Sequence, residues 1–151
     1  MKILKASIEK TGNKVIEVKN ILEIREWLET DEDLYMFFEN MVEILDIFYT
    51  KQYDRKYENE FISAIEGNKH IKIFGVVNNE KYMLLAGRKL FEVIRRDTSG
   101  IYLGGNLDRQ NLFDCSKVSF SKQCVKQPLG IGMYFGGTNG ECFDIVIPKF
   151  V

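Results

Sequence analysis

Hydrophobic and polar positions change their period along this chain, and each change marks an element. The opening stretch "KILKASIEKTGNKVIEVKN" reads as two strands joined at Thr11-Gly12-Asn13. Gly and Asn reach positive φ at little steric cost, which suits a hairpin turn. Val15 and Ile16 face opposite ways, so the alternation in the second arm is imperfect. Asn20 then opens a helical pattern. Its side chain can cap the helix with Glu23 reaching back, and Ile21, Ile24 and Leu28 come next at helical spacing beside Trp27. Thr30 precedes a second helical pattern, with Asp31, Glu32 and Asp33 placing negative charge in its first turn. Leu34, Phe37, Phe38, Met41, Leu45 and Phe48 share one face at a period of 3.6, with Glu32, Glu39, Glu43 and Asp46 opposite. Tyr53, Tyr57, Phe61 and Ile65 recur every four residues but out of phase with that stripe. This implies a break near Thr50–Tyr53, and a third helix ending at Gly67-Asn68 in a left-handed cap.

From His70 the period becomes two. "IKIFGVVNNEKYMLLAG" reads as a hairpin turning at Asn78-Asn79, and "KLFEVIRRDTSGIYL" as another turning at Asp97–Gly100. "KVSFSK", "LGIGMYF" and "ECFDIVI" each alternate like strands. Pro128 and Pro148 sit at strand edges, where a missing N–H does no harm. The expected fold is α+β: an N-terminal β-hairpin, two to three helices over about 20–66, then a mostly antiparallel sheet of several hairpins.

Composition adds bounds rather than elements. The 151 residues are 45% hydrophobic and 28% charged, the proportions of one globular domain over 1–151. No apolar run approaches the roughly 20 residues of a membrane span. Lysines interrupt the N-terminal apolar residues, which argues against a signal-peptide core. Cys115, Cys124 and Cys142 are an odd number with no close pair, which fits reduced thiols in the cytoplasm. Sixteen Ile against three Ala, and fifteen Lys against six Arg, are a bias associated with AT-rich genomes, such as those of some bacteria and their phages. The net charge of −1 hides a segregation: +3 over residues 1–22, −9 over 23–66 and +5 over 67–151. Uneven charge of this kind can mark a partner surface, and it is also what an exposed helix face carries in any case.

Candidate chemistry is sparse. "GGTNGECFDIVIP" from Gly136 has the glycines of a phosphate loop, but the residues after Gly140 alternate at period two and include β-branched side chains. A phosphate loop opens a helix, so Gly136–Gly140 is expected to turn a terminal hairpin instead. "GGNLDRQNLF" could form one short helical turn after Gly104-Gly105. Gly130 and Gly132 leave one face of a strand bare beside Tyr134, which gives an alternative ligand face. His70 starts a strand, and no thiol is singled out as its partner. The cysteine spacings lack the short chelating pair of a structural zinc site. Glu39 and Glu43 share a helix face with Asp46, without a visible pocket for acid–base work. Arg88, Lys89, Arg95, Arg96, Lys117, Lys122 and Lys126 form a basic side, but the pI near 5.9 is not that of a nucleic-acid binder.

These readings favour a non-enzymatic protein-binding module of the bacterial or phage inhibitor or immunity type. It would meet a basic partner protein through an acidic helical surface, with no catalytic residue, cofactor or metal. On one straight helix Met36 and Ile47 fall in line with Asn40 on the acidic side. They would anchor a contact rimmed by Glu39, Glu43 and Asp46. The alternatives are a small-ligand or nucleotide binder using Gly130, Gly132 and Tyr134, and an enzyme with a dispersed site.

Overall fold

The computed structural model describes residues 2–49, 55–82, 84, 87–96, 99–110, 112–136 and 140–147. The chain divides into two compact units, Met1–Phe91 and Glu92–Val151. Both helix and strand are present, in one parallel and one antiparallel sheet.

The first unit begins with α1 (Lys2–Glu9) and β1 (Lys14–Glu17). A 3₁₀ helix, Ile21–Trp27, leads to β2 (Leu34–Phe38), α2 (Met41–Asp46) and a short 3₁₀ turn, Ile47–Tyr49. Then come α3 (Arg55–Gly67), β3 (Ile71–Gly75), α4 (Asn79–Tyr82) and the start of α5 (Lys89–Arg96), whose residues from Glu92 on belong to the second unit. The three strands form a parallel sheet in the order β1-β2-β3, with Leu34 beside Lys14 and Ile71. Parallel strands with helical connections are covered on both faces and read as continuous apolar runs. β2 fits that rule: Met36 and Phe38 are fully buried on one face, and Phe37 is 1% exposed on the other. Phe37 stacks on Phe74 of β3. Met41 of α2 packs on Gly75, where a Cβ would collide with its sulfur. Phe61 and Tyr57 of α3 close the core against Phe48.

Several expectations are corrected in this unit. The first arm of the expected N-terminal hairpin is the helix α1. Leu4 and Ile8 are four residues apart, a spacing that puts them on one face of a strand and of a helix alike. Lys, Ala and Glu between and beside them are good helix formers. The turn at Gly12 is real, with φ +81, but it ends a helix rather than joining two strands. The long helix expected from Leu34 is instead β2 and then α2. "LYMFF" is apolar at every position, so its helical stripe is also a strand buried on both faces. The expected break near Thr50–Tyr53 falls at 50–54, outside the described residues. α3 does end at Gly67, but without a left-handed cap: Asn68 instead donates to Thr30 O and accepts from His70 N. The two expected hairpins after His70 are also revised. β3 is a strand, but its supposed partner arm contains α4, capped by Asn78, and the next arm is α5. Helix is therefore not confined to residues 20–66.

The second unit is an antiparallel meander of β4 (Gly100–Leu103), β5 (Ile131–Gly136) and β6 (Glu141–Val146), in that order. The expected final hairpin is β5–β6, with Phe135 paired to Cys142 across it. Met133 and Phe135 face a small core with Leu107 and Val118. The 3₁₀ turn Leu107–Arg109 matches the single helical turn read after Gly104-Gly105. "KVSFSK" is not a strand: Ser119 leads into α6 (Phe120–Gln123), and Phe120 is exposed. Buried Gln110 organises the connecting loop. Its carbonyl accepts from Leu112 N and Phe113 N, and its amide donates to Phe113 O and Cys115 Sγ.

Candidate functional site

The residues expected to bind a partner separate into different environments. Met36 is fully buried at the centre of the parallel sheet, between Ile16 and Ile73, and has no surface to offer. Ile47 is half-buried in the turn after α2. Their alignment required one continuous helix, and the strand–turn–helix geometry removes it. Glu39, Asn40, Glu43 and Asp46 do stay exposed, around the turn from β2 into α2. Glu43 is paired with Lys81 of α4. The acids remain a surface, but the apolar anchor among them is gone.

The alternative face is also distributed. Gly130 lies in the turn before β5, with φ +83, and its carbonyl accepts from Ile147 N. Gly132 and Tyr134 share a face of β5 as expected. The space over Gly132 is occupied, however: an added Cβ would lie 2.7 Å from Leu103 Cδ2 and 3.1 Å from Ile101 Cγ2. Tyr134 packs on Phe143, with ring centroids 4.9 Å apart.

A groove of about 1250 Å³ lies elsewhere in the first unit, between the Ile21–Trp27 helix and α3. Its construction starts from a triplet repeat, Ile-Leu-Glu, Ile-Arg-Glu, Trp-Leu-Glu, over residues 21–29. A 3₁₀ helix has three residues per turn, so residues three apart eclipse one another. The repeat therefore sorts into three rows. Ile21 and Ile24 are buried and Trp27 half-buried, which makes the core row. Leu22 and Arg25 form a second row and Glu23 and Glu26 a third; Leu28 and Glu29 lie in the turn beyond the helix. The second and third rows line the groove, and the core row does not. Asn20 starts the helix by accepting from Leu22 N, in keeping with the cap expected of it.

The far wall is the stripe Lys56, Asn59, Glu60, Ser63 and Ala64 of α3, at the spacing of one α-helical face. Tyr57 fixes the two walls relative to each other: its hydroxyl donates to Ile21 O at 2.5 Å in a buried contact. Arg25 spans the groove to Glu60 at 2.8 Å, and Lys56 lies 3.9 Å from the same carboxylate. Both lining cations therefore face Glu60. Glu23, Glu26 and Glu29 are exposed, and none has a cation partner among the described residues. Leu22, 45% exposed, is the apolar side chain the groove presents, beside half-buried Ala64, while Leu28 is buried beneath it. An α-helical reading of this segment hides the acid row. In a 3.6-residue period Glu23 and Glu26 stand about 60° apart around the axis, and in a 3₁₀ helix they stand in line. The triplet repeat is the sequence signal that reveals it.

The remaining reactive groups have local partners. Asp33 accepts from Lys72 Nζ at 2.8 Å and contacts His70 Nδ1 at 3.1 Å. Those bonds, Lys72 first, hold its carboxyl below the usual range. Burial raises the Cys115 thiol, against a partial opposing pull from the Gln110 amide. Cys124 is exposed and Cys142 half-buried, and all three thiols are free. Among the described residues no group of three or more His, Cys, Asp or Glu is placed to hold a metal ion. Nor is any helix among them long and apolar enough to cross a membrane.

Compared with known proteins, the chain matches no family model, no curated protein and no solved structure.

Proposed function

We propose that this protein is a non-enzymatic binding module of the inhibitor or immunity type, and that it takes a basic protein partner into the acid-lined groove between the Ile21–Trp27 helix and α3. The observation that carries the reading is the set of acids Glu23, Glu26 and Glu29 along one lip, exposed and without cation partners among the described residues. The groove volume of about 1250 Å³ is also larger than typical small-molecule pockets of about 300–1000 Å³. It suits a polypeptide segment better than a metabolite. The acids would steer a cationic partner and speed its association, an effect that salt weakens.

The test is anisotropy of a labelled oligolysine peptide against three folded forms: wild type, Glu23→Lys with Glu26→Lys and Glu29→Lys, and Glu39→Lys with Asp46→Lys as a control away from the groove. An exposed ion pair contributes about 0.2–1 kcal/mol. Reversing three acids replaces attraction by repulsion and is expected to cost about 1.5–3 kcal/mol, or about 10–100-fold in affinity. The control is expected to lose less than about twofold per charge changed, against about two- to fivefold for each groove acid. Equal losses per charge in both variants would show diffuse attraction and remove the groove from the account.

A further inference from the structure

We infer that Cys115 and Cys142 form an intramolecular disulfide when the protein meets a low-molecular-weight disulfide such as oxidised glutathione. Both side chains pack against the same small core of Leu107, Val118, Met133 and Phe135 in the second unit. Cys142 reaches it from β6, paired with Phe135 across the hairpin. Cys115 reaches it from the loop before α6, where Val118 N donates to its carbonyl. Two contacts tie that loop and α6 to β6. Lys117 lies over Gly140, where an added Cβ would stand 2.8 Å from its Nζ. Lys122 Nζ donates to Asp144 at 2.7 Å. Gly140 and Asp144 flank Cys142 by two residues on each side, and Lys117 is two residues from Cys115. Gln123 holds the loop itself, since its amide donates to Cys115 O and Val118 O. The thiols are close enough that charge on Cys142 pushes the Cys115 thiol further up.

The third thiol is placed differently. Cys124 is exposed at the C-terminal end of α6 and does not pack on that core. The exchange runs in two steps. Cys142 sulfur attacks the small disulfide, and one glutathione leaves with the Cys142 proton. Cys115 sulfur then attacks Cys142 sulfur in the mixed disulfide, and the second glutathione leaves with the Cys115 proton. Two protein thiols are oxidised, one small disulfide is reduced to two thiols, and no other reactant is consumed. The surroundings of Cys115 suit the second step. Burial keeps its thiol protonated and slow towards a free oxidant, and the Gln110 amide, 2.9 Å from its sulfur, stabilises the thiolate as it attacks. The bond closes a loop around α6 and β5. Closing it restricts the unfolded chain and so stabilises the folded meander.

The test uses the full chain carrying Cys124→Ser, which keeps the pair and removes the competing thiol. It is equilibrated with mixtures of reduced and oxidised glutathione, folded and in concentrated urea, then trapped with acid and mapped by peptide mass spectrometry. The expected result is a Cys115–Cys142 bond whose equilibrium constant against glutathione is at least about tenfold larger in the folded protein. Amide exchange in β5 and β6 is expected to slow by a similar factor once the bond forms, and dithiothreitol to reverse it. In the wild type oxidised the same way, Cys124 is expected to stay open to iodoacetamide. Equal equilibrium constants in the folded and unfolded chains would overturn the inference, as would glutathione adducts without the internal bond. Amide exchange that fails to slow, or a wild-type bond from Cys124 to either other thiol, would overturn it too.

Discussion

Met36 distinguishes the parallel-sheet core from a surface helix, because the two give its side chain opposite fates. It lies on the central strand, flanked by Ile16 and Ile73, with no exposed area. Truncating a fully buried Met to Ala costs about 2–5 kcal/mol. The unit Met1–Phe91 has a stability on the order of 5–14 kcal/mol at typical values per residue. Met36→Ala is therefore expected to fold with a lower urea midpoint. With a slope of about 1–3 kcal/mol per molar, a loss near 3 kcal/mol moves the midpoint down by about 1–3 M. Met36→Asp adds the desolvation of a carboxylate with no partner, and removes the parallel sheet. Ile47→Lys, at a half-buried turn, is expected to cost much less than either. On a single exposed helix Met36→Asp and Ile47→Lys would both be mild. Urea titration monitored by far-UV circular dichroism reads the difference. A Met36→Asp protein with the wild-type midpoint would refute the placement of β2.

Tyr57→Phe removes the buried hydrogen bond to Ile21 O and leaves that carbonyl short of a donor. A loss of about 1–3 kcal/mol is expected in chemical denaturation, with weaker binding in the groove whose walls the bond fixes. Asp33 has its folded carboxyl below the ordinary value, so its contribution is present above that value and lost as pH falls through the lower, folded one. Asp33→Asn should therefore flatten the dependence of the urea midpoint on pH below about pH 4, the ordinary carboxylate range. An unchanged acid limb would show that the Lys72 and His70 contacts do not hold it. At mildly alkaline pH, iodoacetamide should label exposed Cys124 first and Cys115 last, since burial raises the Cys115 thiol. Mass spectrometry of timed samples reads that order directly.

Much of the second unit is legible in the residues. "IGMYFG" and "ECFDIV" do form paired strands: Met133 and Phe135 of the first alternate onto the buried face as a meander requires, whereas Phe143 of the second is exposed opposite Tyr134. The Gly136–Gly140 stretch, of which residues 137–139 lie outside the described residues, is distinguished from a phosphate loop by the strand that comes after it. The first unit is harder for a physical reason. In a parallel sheet the central strand is buried on both faces, so "LYMFF" lacks the alternation that identifies a strand. It continues into α2 without a turn residue stronger than Asn40. "KILKASIE" carries a spacing common to both periods, and "KYMLLAG" and "KLFEVIRR" have apolar residues enough for either. The charge segregation is plain from the sequence and persists on the surface. Which acids stand together is not. That depends on the Ile21–Trp27 segment turning every three residues rather than every 3.6, a difference that brings Glu23 and Glu26 into line.

The most direct measurement is chemical-shift mapping of the isotope-labelled protein with the oligolysine peptide. The account predicts perturbed amides confined to two stretches, residues 22–29 and 56–64, saturating together and fading as salt is raised. Perturbations centred instead on Glu39–Ile47, or on the Ile101, Leu103 and Phe143 face of the antiparallel sheet, would contradict it.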